Sequence, residues 1–444
     1  MLLEFKVRNF GCLRDEAILS MIPSSGSLHS ECIIRSAYGK TLCRALPVLA
    51  LYGANASGKS TLILAMETAV RFIRFAARTQ DHRATIPVVP FALDSMSATI
   101  PTSFEFAFVH NGVKYVYGFA ATRDSILHEY LKCWKTSRVS LIFERYGQDF
   151  TFPADRDRVR KKTISQAVAK NNLFFAMACI MNYEPIIEAM AWFSDSIDIL
   201  RDDSLSTNSA IMEPLLSSDR PQELLSDMRK MAIHADLGID DIVFEFEKTE
   251  LNIEDTSSDY FTPDKLVELS EAIVALRTLQ RSGSRDKLTH LGKLEARVLH
   301  RGLDSTGNAT NYSLNINQES TGTLRFMALS PSLQRALQNG SIYIADEMDK
   351  QLHPLLLKYL VELFQNPGTN PHGAQLIFTT HTTDLIDFDV LRRDQIALIS
   401  KDRKSGASEL YKISDFDLPR RESIYRAYLL GKLGSVPRIE AVDD

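Results

Sequence analysis

The sequence predicts an α/β protein: a mixed sheet with an antiparallel β subdomain, plus a mostly helical insertion. Three observations lead there. Strand-like and helix-like stretches alternate at both ends of the chain. A short apolar run at residues 48–52 ends in a Gly-rich loop that opens directly into a helical pattern from Lys59 to Ala77. Residues 101–132 read as an antiparallel meander, with the turn dipeptide Asn111-Gly112 between two alternating runs.

In chain order, residues 2–8 alternate apolar and polar and read as a strand, and a second strand is expected at 16–21. Residues 161–235 read as mostly helical, 243–246 as a strand, 254–263 as a polar loop and 264–282 as a helix ended by the basic stretch 281–288. Residues 302–317 turn Gly/Ser/Asn-rich. A compact series follows: helix 322–338, strand 341–345, helix 353–365, strand 375–379, a hairpin (395–400 with 409–413) and a helix at 424–430. The expected organisation is one α/β domain built from both ends, residues 1–160 and 301–444, with 161–300 inserted.

Composition narrows the function classes. The chain has 444 residues, is 45% hydrophobic and 24% charged, and carries a formal charge of −5. That suffices for a large core and gives no global basic character, so a nucleic-acid partner needs a local basic patch. The basic runs are Arg71/Arg74/Arg78, Arg156–Lys162, Arg281/Arg285/Lys287 and Arg392/Arg393. Each reads either as a phosphate contact or as a solvated face. The five cysteines are scattered and form no C-x-x-C pair, which argues against a disulfide framework or a zinc site and for a reducing compartment. The first residues carry charges at Glu4, Lys6 and Arg8 in place of an apolar signal core, and no run approaches the about 18 apolar residues that span a bilayer. A cytoplasmic location with no membrane contact is expected.

The sharpest chemical signal is Gly53-Ala-Asn55-Ala56-Ser57-Gly58-Lys59-Ser60-Thr61, which satisfies G-x-x-x-x-G-K-[ST] between a strand and a helix. Glycines let the backbone curl so that its N–H groups point at phosphate oxygens, and the helix N-terminus adds partial positive charge. Lys59 is expected to reach the β- and γ-phosphates of ATP, and Ser60 to ligate Mg²⁺. An accidental Gly/Ser-rich turn would lack this strand–loop–helix context.

Hydrolysis needs carboxylates beside that loop. Ser341-Ile-Tyr-Ile-Ala-Asp346-Glu347 reads as a buried strand presenting two acids at its carboxyl end. Asp346 is assigned to the Mg²⁺ shell and Glu347 to the general base that polarises water. A second apolar strand ends in Thr379-Thr-His381, where His381 can meet the γ-phosphate. Glu319-Ser320-Thr-Gly322-Thr precedes a helix, so Ser320 and the Gly322 N–H offer a second anion site; Ser320 as an ordinary N-cap is the simpler reading. Asp349 either serves near the site or caps the next helix.

Together these elements resemble an ABC-type ATPase, a P-loop NTPase fold, of the non-transporter branch that includes the SMC, RecF and OLD families. The resemblance rests on Phe5-Lys-Val-Arg-Asn-Phe10, the cradle with Asn55 and Ser57, Glu319-Ser-Thr-Gly-Thr323, Asp346-Glu-Met-Asp-Lys-Gln-Leu-His-Pro354, Thr379-Thr-His381 and the tail Tyr428-Leu-Leu-Gly-Lys-Leu-Gly-Ser-Val-Pro437. These motifs look like those of small prokaryotic AAA-family ATPases of the OLD-like group. The resemblance implies two heads pairing head-to-tail as a homodimer or higher oligomer, with Ser320 and Gly322 completing the partner's ATP site. It also implies a switch that closes on ATP and opens on hydrolysis. The Ser-Thr-Gly-Thr stretch departs from the transporter Ser-Gly-Gly-Gln, and no glutamine lid loop can be placed.

Two roles fit that resemblance: the regulatory ATPase of an anti-phage defence system acting on a separate nuclease or toxin, or a DNA repair ATPase of the RecF/SMC type. The stretch after His381 is too short for the nuclease module that OLD proteins carry there. Sustained heptads, which mark the coiled-coil arms of repair ATPases, are absent. A transporter motor places its signature close to the cradle, whereas here more than half the chain separates Lys59 from Ser320.

Overall fold

The structure is a computed structural model and describes residues 1–26, 29–76, 83–154, 157–200, 220–235, 238–249, 291–387, 390–416 and 424–434. Contacts divide the chain into two units: Met1–Arg201 with Leu337–Lys350 and Leu360–Asp444, and Asp202–Ala336 with Gln351–Tyr359.

The first unit holds two large sheets. One is antiparallel and built from β1 (Leu2–Arg8), β2 (Ala17–Ser20), β6 (Thr102–His110), β7 (Val113–Ala121), β8 (Ile126–Trp134), β9 (Ser140–Tyr146) and β10 (Asp149–Thr151), in the order β10-β9-β8-β7-β6-β1-β2. Alternation sets its inner face: Phe104, Phe106 and Phe108 of β6 are buried while Ser103 and Glu105 face outward. The expected β6–β7 hairpin forms, with Asn111 at φ 46° and Gly112 at φ 72°, the left-handed pair a two-residue turn requires.

The other sheet runs β11-β15-β16-β5-β17-β18, from β11 (Ile197–Leu200), β15 (Ile342–Ala345), β16 (Gln375–Thr379), β5 (Val48–Tyr52), β17 (Ile396–Lys401) and β18 (Ser408–Lys412). All neighbours are parallel except the β17–β18 hairpin. This mixed sheet with an antiparallel partner is the predicted fold class. β5, β15 and β16 are buried throughout, as strands covered on both faces must be. Buried Gln375 ties the two sheets together. Its Oε1 accepts the Leu2 N–H at 2.6 Å, and its Nε2 donates to Leu2 O and Leu46 O at 3.0 and 3.1 Å. A small hairpin, β3 (Ile34–Tyr38) with β4 (Thr41–Ala45), precedes β5.

Helices α1 (Lys59–Phe75), α2 (Arg158–Gln166), α3 (Phe174–Ile180) and α4 (Glu184–Asp195) belong to this unit. Leu62, Ile63, Met66, Val70 and Ile73 give α1 its buried stripe. Trp192 of α4 stacks on Phe108 at 3.9 Å, and Phe193 stands edge-on to Phe106 at 5.1 Å. α3 is seated by a charge. Glu129 of β8 and Arg145 of β9 are cross-strand partners with fully buried side chains, 3.3 Å apart. Glu129 also accepts the N–H groups of Phe174 and Phe175, each at 2.9 Å, and the Tyr117 hydroxyl at 3.0 Å. Burial pushes the Glu129 carboxyl up, and Arg145 with these donors opposes that.

The second unit contains the helix Pro221–His234, most of the helix Thr321–Asn339 and an antiparallel sheet of β12 (Asp241–Thr249), β13 (Leu291–Leu303) and β14 (Ala309–Asn315), in that order. Within 161–300 the described residues hold more helix than strand, with β11, β12 and most of β13 as the strands. The Gly/Ser/Asn-rich stretch 302–317 holds the end of β13, a turn and β14, paired from Arg297↔Asn315 to Leu303↔Ala309. Only its turn is loop: Asp304 Oδ1 accepts Thr306 N–H, the Thr306 hydroxyl and Asn308 N–H at 2.6–2.9 Å. Residues 161–200, assigned to the insertion by sequence, pack in the first unit. The loop at 254–263, the helix at 264–282 and the basic stretch 281–288 lie outside the described residues.

Removing the Glu129 carboxylate leaves the Arg145 charge buried and unpaired. Glu129→Ala is expected to lower stability by about 3–5 kcal/mol, read as a shift in the urea midpoint; a loss within error of an exposed control such as Glu188→Ala contradicts this account.

Candidate functional site

The parallel strands set the site. In the register, Leu200, Ala345, Phe378 and Leu51 are level or nearly so at their carboxyl ends, where open α/β sheets bind ligands. The chain leaves these ends through Gly53, Asp346 and Thr380, and the Asp346 N–H to Leu200 O and Thr380 N–H to Leu51 O bonds hold those exits at 3.0 and 3.1 Å.

The cradle is shaped by close approach. A Cβ on Gly53 would lie 2.4 Å from the Ile399 carbonyl of β17 and 2.6 Å from Ser57 Oγ. At Gly58 (φ 114°), which caps α1, a Cβ would lie 2.7 Å from Cys12 Sγ and 2.9 Å from Ser408 Oγ. Neither position tolerates a side chain. Ala56, between them, adopts φ 60°, a left-handed conformation that costs a non-glycine residue about 1 kcal/mol or more. Asn55, Ala56 and Ser60 are exposed, Thr61 is half-buried, and Ser57 and Lys59 are buried. Lys59 Nζ donates to Gly53 O at 2.7 Å and Ala54 O at 3.2 Å. Burial lowers the Lys59 pKa, while Asp346, Glu347 and Asp349 pull it back up.

This arrangement fits a nucleotide triphosphate. The buried Ser57 hydroxyl has no hydrogen-bond partner, the cradle excludes Cβ atoms, and the first amides of the 17-residue α1 have no intrahelical acceptors. Mg²⁺ fits the donors as well: it is usually held by one or two carboxylates and phosphate oxygens, which Asp346 and the Ser60 hydroxyl would complement. No group of three or more His, Cys, Asp or Glu side chains capable of holding a metal occurs among the described residues.

Asp346, half-buried, accepts the Thr379 hydroxyl proton on Oδ1 at 2.6 Å. Glu347 follows at φ 48° with its side chain exposed, and its N–H donates to Thr379 Oγ1 at 2.7 Å. Of the two readings for Asp349, the bonds it makes agree with a place near the site: its Oδ2 accepts the N–H groups of His381 and Thr382 at 2.9 and 3.0 Å. It thereby fixes the backbone that carries the exposed His381 side chain. The sequence assigned Thr379 no role, because a β-branched residue ending an apolar strand reads as core.

Ser320 and Gly322 belong to the second unit. Ser320 Oγ accepts the Thr323 N–H at 3.1 Å, the N-cap geometry of the helix Thr321–Asn339. Gly322 has no room for a Cβ, which would meet Gln351 O at 2.9 Å. Glu319, just before the cap, bonds His300 at 2.7 Å.

Some members of the basic runs serve structure, while Arg71, Arg158, Arg160 and Lys162 are exposed. Arg74 donates to Phe193 O and Ile197 O, both at 2.6 Å, closing the end of α4. The residues 158–162 form the start of α2 rather than a loop, and Lys161 is fully buried over the Phe152 ring at 5.5 Å. Buried Arg392 pairs with Asp394 at 2.8 Å. Arg78, Arg156, Arg281, Arg285 and Lys287 lie outside the described residues. The terminal helix Ile424–Leu429 packs on its own unit, with Tyr428 edge-on to Tyr52 at 6.0 Å. No helix among the described residues is long and apolar enough to cross a membrane.

A family model described as "AAA domain, putative AbiEii toxin, Type IV TA system" matches residues 48–387, from the strand before the cradle to beyond His381. No curated protein matches the sequence. Among solved structures, the chain is similar to an Smc head bound to the C-winged helix domain of ScpA (11% identity, TM-score 0.42, 96% of this chain and 99% of that one). It is also similar to an Smc head with an extended coiled coil bound to the C-terminal domain of ScpA, derived from Pyrococcus furiosus (12% identity, TM-score 0.38, 98% and 99%).

Asp349→Ala removes the acceptor for two backbone amides. Amide hydrogen exchange at His381 and Thr382 is expected to speed by at least about tenfold, equal to about 1.4 kcal/mol of lost protection; unchanged exchange there contradicts the anchoring role.

Proposed function

The chain belongs to the family described as "AAA domain, putative AbiEii toxin, Type IV TA system", and on that premise we propose that it is an ATP-binding and ATP-hydrolysing ABC-type switch. One observation carries the reading: a Cβ-excluding cradle with a buried lysine stands at the same sheet edge as two successive carboxylates, one anchored and one exposed. Gly53–Thr61 would hold the triphosphate through backbone N–H groups, with Lys59 as the fixed cation. Ser60 and Asp346 would hold Mg²⁺, which when bound neutralises charge on the phosphates. Glu347, with its carboxylate in solvent, is the residue able to take a proton from water. His381, on a backbone pinned by Asp349, is a candidate γ-phosphate contact.

The ABC-type resemblance implies a second wall over a nucleotide bound at this sheet edge. We assign that wall to a second copy, with Ser320 and Gly322 at the N-terminus of the helix Thr321–Asn339 completing the site in trans. Closure on ATP and opening on hydrolysis would make the protein a nucleotide-controlled dimer. The role proposed for this switch is that of an OLD-like defence ATPase that controls a separate effector, a reading that rests on the motif resemblance; the family description itself names a putative AbiEii toxin of a Type IV TA system. For direct DNA handling, Arg74, Lys161 and Arg392 are occupied inside the fold, which leaves the exposed Arg71, Arg158, Arg160 and Lys162 as the described candidates for phosphate contacts.

Glu347→Gln keeps size and loses the base. It is expected to bind ATP, to hydrolyse it at least about 100-fold more slowly, and to accumulate as a dimer when ATP is present, read by light scattering. A variant that remains monomeric at saturating ATP contradicts the sandwich.

A further inference from the structure

The polar contacts at the end of β16 converge on one side chain, and they point to a function for it. Thr379 is fully buried, yet it bonds three successive residues of the neighbouring segment. Its hydroxyl reaches Asp346 Oδ1 at 2.6 Å, the Glu347 N–H reaches its Oγ1 at 2.7 Å, and the Met348 N–H reaches its carbonyl at 3.1 Å. Proton directions are forced. The Glu347 amide can only donate, so the hydroxyl accepts there and directs its single proton to Asp346. The result is a one-way relay from the Glu347 N–H through the Thr379 hydroxyl to the Asp346 carboxylate.

We propose that Thr379 is a positioning residue that sets the cation ligand Asp346 and the base Glu347 as a unit; this rests on the ATPase reading above. The hydroxyl fixes one carboxylate oxygen of Asp346, so that Oδ2 would be the oxygen offered to Mg²⁺. The same hydroxyl oxygen pins the Glu347 amide where the chain passes through φ 48°, the left-handed turn that carries the Glu347 side chain into solvent while Met348 is buried. A serine would keep both bonds, but with a freer rotamer. A valine would keep the shape of the strand end and lose both bonds. The main-chain bond to Met348 survives either change, so the segment stays attached to β16 while the two carboxylates lose their common reference.

The test uses the full-length protein, with ATP binding measured by calorimetry with and without Mg²⁺ and turnover by phosphate release. Thr379→Val is expected to bind metal-free ATP within about twofold of wild type, because Lys59 and the cradle are untouched. Its gain in affinity on adding Mg²⁺ should shrink by about tenfold, and kcat should fall by about 100-fold, the scale of small misplacements of reacting groups. Thr379→Ser should restore both to within about threefold. In an Asp346→Asn background, Thr379→Val should change the Mg²⁺ gain no further, since its route through Asp346 is already gone. If Thr379→Val melts well below wild type, the comparison passes to Thr379→Cys, which retains bulk with a feeble donor. A valine or cysteine variant with the wild-type Mg²⁺ gain and kcat overturns the assignment and leaves Thr379 as strand core. A wild-type protein that neither binds nor hydrolyses ATP overturns the proposed function itself, which separates the two failures.

Discussion

Three parallel strands fix where any reacting group can stand. β16 lies between β5, which ends in the cradle, and β15, which ends in the carboxylates. Because parallel neighbours advance in step, the loop, Thr379 and Asp346 leave the sheet at one level. A one-residue slip of β16 would turn the Thr379 side chain to the other face and break its bonds to Asp346 and Glu347. The register is therefore protected at both ends of β16. Gln375 anchors the amino end to Leu2 and Leu46 through three buried hydrogen bonds, and Asp349 holds His381 and Thr382 just beyond the carboxyl end.

The rest of the first unit serves that edge. β17 and β18 press a carbonyl and a hydroxyl against the two cradle glycines, so the loop's curvature is set by the sheet as well as by its own sequence. Helix α1, whose N-terminus opens from the cradle, packs on α3 and α4 and meets the antiparallel sheet through Phe72 and Phe119, and the Glu129–Arg145 pair seats α3 on that sheet. A buried ion pair contributes little net stability against an apolar alternative, but it makes one seating of α3 far better than others.

Much of this was legible in the sequence where the signal is local. The cradle declares itself by glycine spacing between a strand and a helix, β15 and β16 by short apolar runs ending in polar residues, and the β6–β7 hairpin by Asn111-Gly112. What escaped depends on distant partners. β11 is four residues long and exists because β15 offers it an edge. β14 carries the turn-forming residues Asn311, Ser313 and Asn315 and is a strand because β13 pairs with it along its whole length. Lys161 and Arg74 look like surface charge until the ring and the helix end they meet are known. Thr379 and Asp349 were visible in sequence as residue types, but their bonds join segments about 30 residues apart, beyond any helical or strand period.

The central claim is that the Gly53–Thr61 cradle and the Asp346–Glu347 pair form one ATP-hydrolysing site. The most direct measurement compares Mg²⁺-dependent phosphate release and ATP binding by the wild-type protein with the same quantities for Lys59→Ala. The account predicts that the wild type binds and turns over ATP, whereas Lys59→Ala retains its fold by circular dichroism and does neither. Equal turnover by the two proteins, or a folded wild type that binds no ATP, would contradict it.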